Sequence, residues 1–235
     1  MTRKKVNQHH PWDVDFQFSL KSKFDFNDVH RSFIALADKN STKMVFADGP
    51  AGTAKTYLAV MSALKLIKGK HVEQIVYIRS VVESASQKMG SLPGEVGDKF
   101  LPYSMPMVEK LDEIVGVQVR QKLMSHELVT CIPVNYVRGL TFNDSVVIID
   151  EAQNLTISEL TTILTRFGRN TKFIVVGDTK QSDINGRTGF EPIWHCFNNK
   201  ASEENGIFTF EFGENEIVRS EILKFIVKQL TNIKK

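Results

Sequence analysis

Six short runs rich in β-branched residues punctuate the chain: KMVFAD (43–48), EQIVYIRS (73–80), LVTCIPV (128–134), SVVIIDEA (145–152), KFIVVGD (172–178) and GIFTFEF (206–212). Their apolar positions are nearly continuous rather than alternating, the pattern of strands covered on both faces. Stretches of helical spacing lie between several of them. In 54–69, Leu58, Met61, Ala63, Leu64 and Ile67 fall mostly on one face; Ile157, Leu160, Ile163, Leu164 and Phe167 do so in 157–167. Residues 215–230 are a third case, and 105–115 and 117–124 also carry helical patterns. Strand–helix alternation of this kind predicts an α/β fold: a mainly parallel sheet with helices on both faces, binding its ligand at the carboxyl ends of the strands. The segment SLPGEVGDKFLPYSMP (91–106), rich in Pro and Gly, reads as an excursion from the sheet.

Length and composition narrow the class. The 235 residues, 42% hydrophobic and 24% charged, suit one large globular domain with a full core. A net charge of +3 is too mild to argue for nucleic acid by itself. Cys131 and Cys196 are far apart, which points to a reducing, cytoplasmic setting and to neither a disulfide framework nor a metal site. The opening MTRKKVNQHHPWDVD lacks the apolar core of a secretory signal, and no apolar run approaches the ~18 residues of a membrane span. Residues 1–23 read as an N-terminal arm before a domain at 24–235. The arm is either flexible or packed on a neighbouring subunit, because Trp12, Phe16 and Phe18 are costly to expose.

The chemistry gathers at three strand ends. The first runs into Gly49-Pro50-Ala51-Gly52-Thr53-Ala54-Lys55-Thr56 and then into an amphipathic helix, the strand–loop–helix setting of a phosphate-binding P-loop. Glycines let successive N–H groups close on a phosphate, and the helix start adds free donors and the positive dipole end. Lys55 is expected to reach the β- and γ-phosphates of ATP, and the Thr56 hydroxyl to ligate Mg²⁺. Ala54 stands where the common pattern has glycine. Read as a residue entering the helix, it is expected to have negative φ, which alanine tolerates.

The second strand end, SVVIIDEAQN (145–154), delivers Asp150 and Glu151. Asp150 is expected to hold Mg²⁺ through water, Glu151 to act as general base on the attacking water, and Gln153 to report the γ-phosphate to a neighbouring element. An acidic strand end alone is a weak signal; beside a P-loop it is strong. The third, KFIVVGDTKQSD (172–183), delivers Gln181, a candidate sensor of the γ-phosphate.

At this point the sequence resembles the PhoH-like ATPases, RecA-like P-loop NTPases akin to the cores of superfamily 1 helicases. GPAGTAKT, IIDEAQN and VVGDTKQSD carry the nucleotide motifs. IRSVVE (78–83), SLPGEVGDKFLPYSMP, VNYVRGLTF (134–142), ILTRFGRNTKF (163–173) and NEIVRSEIL (215–223) carry the rest, over roughly residues 27–230. The resemblance implies a single RecA-like P-loop NTPase domain, ATP and Mg²⁺ as cofactors, and links to RNA metabolism and phosphate starvation. It matches Gly49, Gly52, Lys55 and Thr56 to the phosphate loop, Asp150 and Glu151 to the magnesium and general-base pair, and Gln181 to the γ-phosphate sensor. Arg219 matches an arginine finger. The sequence departs from the family at three places. Leu140 replaces an arginine of RGRT, His30 is the nearest candidate for the missing base-reading glutamine, and the acidic residue before the VR motif is Glu216 or Asn215.

A helicase closes its ATP site between two lobes, and this chain has room for one. A homo-oligomeric ring, a hexamer favoured, with Arg219 of one subunit reaching the next subunit's nucleotide, supplies the missing wall. Single-stranded RNA or DNA is the expected partner, RNA favoured. The candidate contacts are Lys88, Arg166 and Arg169 for phosphates and Phe100 or Tyr103 for bases, with no membrane partner. The alternative reading is a nucleotide-gated binding module with little hydrolysis.

Overall fold

The computed structural model describes residues 17–80, 96–181, 188–218 and 221–231. In chain order the elements are α1 (Asp28–Asp38), β1 (Met44–Asp48), α2 (Lys55–Lys68), β2 (Gln74–Arg79), α3 (Val96–Val115), α4 (Val117–Ser125) and β3 (Val129–Pro133). They continue with β4 (Ser145–Asp150), α5 (Ile157–Leu164), β5 (Thr171–Gly177), α6 (Phe190–Phe197), α7 (Lys200–Glu204), β6 (Ile207–Glu211) and α8 (Glu221–Thr231).

All six apolar runs form strands of one sheet, in the order β3-β2-β4-β5-β1-β6, and every pairing is parallel. β4 and β5 are buried along their whole length. Because side chains alternate across a strand, each face receives its own core. Val45, Ala47, Ile75, Tyr77, Ile148 and Val176 face the side covered by α1 to α4. Phe46, Val76, Ile78, Val147, Ile149 and Val175 face the side covered by α5 and α6. The expected α/β fold with helices on both faces is the one observed.

Local chemistry sets the helix starts. Asn27 caps α1 and Thr156 caps α5, each in a reciprocal capping box, with His30 and Glu159 as partners. α2 is buried almost all round, from Tyr57 to Ile67. α3 begins at Val96, inside the segment expected to be irregular. Pro102 and Pro106 remove donors from this helix, yet Met107, Leu111 and Ile114 are fully buried at helical spacing, and that stripe outweighs the propensity cost. The helical pattern at 215–230 splits into a short turn, Glu214–Glu216, and α8. Phe18 is buried in this chain's own core; Trp12 and Phe16 lie outside the described residues.

Candidate functional site

The P-loop leaves β1 at the carboxyl edge of the sheet. A Cβ added to Gly49 would lie 2.7 Å from Phe212 Cβ and 2.8 Å from the Phe212 carbonyl oxygen, so glycine is required by close approach. The loop is held from within: Thr53 Oγ1 donates to Pro50 O at 2.9 Å. Lys55 Nζ donates to Gly49 O at 2.5 Å and to Pro50 O at 2.9 Å. Burial pushes the Lys55 ammonium below its ordinary pKa, against the attraction of Asp178, Glu151, Asp48 and Asp150.

Ala54 corrects the sequence reading. Its φ is 62° and ψ 19°, in the left-handed region, not the negative φ expected. The residue is the cap before the helix, not its first turn: Lys55 begins α2, and Leu58 N donates to Ala54 O at 2.9 Å. Turning the N–H groups inward needs a left-handed residue there, which costs a non-glycine residue about 1–2 kcal/mol.

Behind the loop, the Thr56 hydroxyl donates to Asp150 Oδ1 at 2.8 Å, so the two expected magnesium ligands converge. Asp150 is almost fully buried, and its other oxygen accepts from the Tyr77 hydroxyl at 2.5 Å. Burial, with the Asp150 carboxylate, pushes the Tyr77 phenol far above its ordinary pKa, which keeps it a donor. Arg79 stands 3.7 Å from both Asp150 and Glu151. This donor set suits Mg²⁺, which takes one or two protein oxygens and keeps water and phosphate for the rest. Among the described residues no group of three or more His, Cys, Asp or Glu forms a metal cluster.

Glu151 also has a left-handed backbone, with φ 52°. Its Oε2 accepts from Gln153 Nε2 at 2.5 Å, and Gln153 Oε1 accepts from Asp178 N at 3.1 Å. Gln153 therefore ties the acidic strand end to the loop after β5. That loop is tied to β1 as well, since Asp48 accepts from Thr179 N at 2.8 Å and from Thr179 Oγ1 at 2.7 Å. Gln181, exposed, lines the same cavity as Lys55, Thr56, Asp150 and Glu151, a space of about 510 Å³.

The other predicted residues fall as follows. Arg219 lies outside the described residues, as does Lys88, and the side chain of Phe100 is not described. Val218 N donates to Gly52 O at 3.1 Å. Glu216, not Asn215, is the buried acid: it accepts from Gly213 N at 2.7 Å and from Asn27 Nδ2 at 3.3 Å. His30 is buried, with Nδ1 accepting from Asn27 N and Nε2 donating to Glu216 O, so it braces α1 against this turn. Leu140 is exposed in the turn after β3. Arg166 and Arg169 precede β5, at the edge opposite the P-loop; Arg169 pairs with Asp144 at 2.8 Å. The sequence reading assigned no role to Tyr77, Asp48 or Arg79.

Comparisons with known proteins identify the family. The family model described as PhoH-like protein matches residues 29–231. The chain is 34% identical over 198 residues to the PhoH-like protein of Bacillus subtilis (strain 168), covering 84% of this chain and 60% of that protein. It is 34% identical over 186 residues to Protein PhoH of Escherichia coli (strain K12), covering 77% and 51%. Against the PhoH-like protein of Mycobacterium tuberculosis (strain ATCC 25618 / H37Rv) it is 38% identical over 156 residues, covering 66% and 44%. The matches thus span about half the length of these relatives. With its P-loop, acidic strand end and six-stranded parallel sheet in place, the chain belongs to the PhoH-like protein family.

Proposed function

We propose that the chain binds ATP with Mg²⁺ and hydrolyses it to ADP and inorganic phosphate. The observation that carries this reading is the convergence of Lys55, Thr56, Asp150 and Glu151 on one cavity at the carboxyl edge of the sheet. Backbone N–H groups of the P-loop and Lys55 hold the β- and γ-phosphates. Thr56 and Asp150 hold Mg²⁺, which neutralises charge on the phosphates when bound. Glu151 takes a proton from the attacking water, the water oxygen bonds to the γ-phosphorus, and the β–γ bridging oxygen leaves with ADP. Gln181, at the lip of the cavity, orients the water. Steady-state ATP hydrolysis with Mg²⁺, with Lys55→Ala as control, tests the proposal. Turnover that the variant abolishes supports it, and turnover no higher than that of the variant overturns it.

A homo-oligomer, with a six-membered ring favoured, forms part of the same proposal. Ile222, Phe225 and Ile226 of α8 are 62%, 57% and 43% exposed, an apolar stripe left uncovered among the described residues. Arg219 is proposed as the finger it lends to a neighbour. Single-stranded RNA, or DNA, is the proposed partner whose binding hydrolysis is coupled to. Adding single-stranded RNA to the turnover assay, and measuring mass in solution with ATP, tests these two parts.

A further inference from the structure

The cavity is lined by more than the P-loop and the acidic strand end. Beyond the P-loop it is walled by Lys23 and Phe24 from the segment before α1, and by Lys110 and Glu113 from α3. That segment is strapped down by specific bonds. Lys21 N donates to Ile114 O at 2.9 Å, the Tyr57 hydroxyl donates to Lys21 O at 3.0 Å, and Lys23 N donates to the Tyr57 hydroxyl at 3.1 Å. Tyr57 follows Lys55 by two positions in α2, so the strap is anchored on the first turn of the P-loop helix.

The strap presents a ring and a charged edge. Phe24 is half-buried, meets Tyr57 edge-on at 5.0 Å between centroids, and has the Lys23 ammonium over its ring, 5.9 Å from the centroid. Glu113 accepts from Lys23 at 2.7 Å and from Lys110 at 2.9 Å. Burial alone would raise the Glu113 carboxyl, but the hydrogen bonds from the two lysines outweigh it and hold the group ionised below its ordinary pKa. Aromatic faces bind nucleobases by stacking, and hydrogen-bonding groups beside them fix orientation. The His30 ring nitrogens are engaged in their own buried bonds.

We infer that the nucleoside end of the ligand is bound by the strap and α3, with the base stacked on Phe24 and the Lys23–Glu113–Lys110 cluster along its edge. The inference rests on the ATP-binding reading above and adds to it the surface that distinguishes a nucleotide from a bare polyphosphate.

Titration calorimetry with two probes, ATP and inorganic tripolyphosphate, each with Mg²⁺, tests it. Wild type is expected to bind ATP more tightly than tripolyphosphate. Phe24→Leu, which keeps apolar bulk against Tyr57, is expected to lose about tenfold or more in ATP affinity and none in tripolyphosphate affinity, and Phe24→Trp to restore ATP binding. Lys55→Ala is expected to weaken both probes. Equal loss of both in Phe24→Leu, or equal wild-type affinity for both, overturns the inference while leaving the phosphate site intact. A wild-type chain that binds neither probe overturns the ATP reading itself, and this inference with it.

Discussion

The Gln153 amide nitrogen donates to a Glu151 carboxylate oxygen at 2.5 Å, while the oxygen of the same amide accepts the Asp178 N–H at 3.1 Å. One side chain thus fixes the orientation of the proposed general base and senses the backbone of the loop that carries Gln181. Gln153 is a positioning residue: in the proposed reaction it acts through Glu151. Gln153→Leu is expected to leave ATP affinity within about twofold and to lower single-turnover hydrolysis about tenfold or more, a loss of ~1.4 kcal/mol of transition-state stabilisation. Rate and affinity falling in step would contradict the assignment.

Glu151→Gln removes the proton acceptor and keeps the shape. Hydrolysis is expected to fall about 10²–10⁴-fold with ATP binding retained, as measured by quenched-flow turnover beside calorimetry. Unchanged turnover would place water activation on another group.

Ala54→Gly relieves a left-handed alanine. The gain of about 1–2 kcal/mol from strain is offset in part by the greater freedom of glycine in the unfolded chain. The variant is expected to be more stable by up to about 1 kcal/mol in urea unfolding, with ATP affinity equal or higher. A lower unfolding midpoint at constant m-value is the result that would overturn this reading of the backbone.

Burial lowers the pKa of His30, against hydrogen bonds to the Glu216 and Thr53 backbone and the charge of Glu216 that raise it. The unfolded chain therefore takes up this proton first as pH falls, so the stability His30 contributes is present above its unfolded pKa of about 6.5 and is lost below it. The melting temperature is expected to drop between pH 7.5 and pH 5.5, and to drop less in His30→Gln. Parallel pH profiles for the two proteins would assign the acid sensitivity elsewhere.

The four inner strands, β1, β2, β4 and β5, were readable because they are covered on both faces, and continuous apolar runs with β-branched residues have few other uses. That Lys55, Thr56, Asp150 and Glu151 would line one cavity was readable for a related reason: a parallel sheet puts all carboxyl strand ends at one edge. Tyr77 was not readable, because in a doubly buried strand a tyrosine looks like any other core residue until Asp150 on the neighbouring strand lies beside it. Ala54 was misread because its place was judged by helix propensity, while the phosphate turn that precedes the helix dictates its φ. His30 looked like a ligand-reading residue by position; its capping bonds with Asn27 are local, but its second partner, Glu216, comes from the far end of the chain.

The wall behind Gly49 has a consequence for how the chain is made. β1 pairs only with β5 and β6, and Phe212, just past β6, closes on Gly49 from behind. The phosphate turn is synthesised well before the backbone at Phe212 that packs against it. During translation the P-loop therefore lacks this wall until β6 and Phe212 have been added. A nascent chain cut short before β6 carries the motif without the wall behind it.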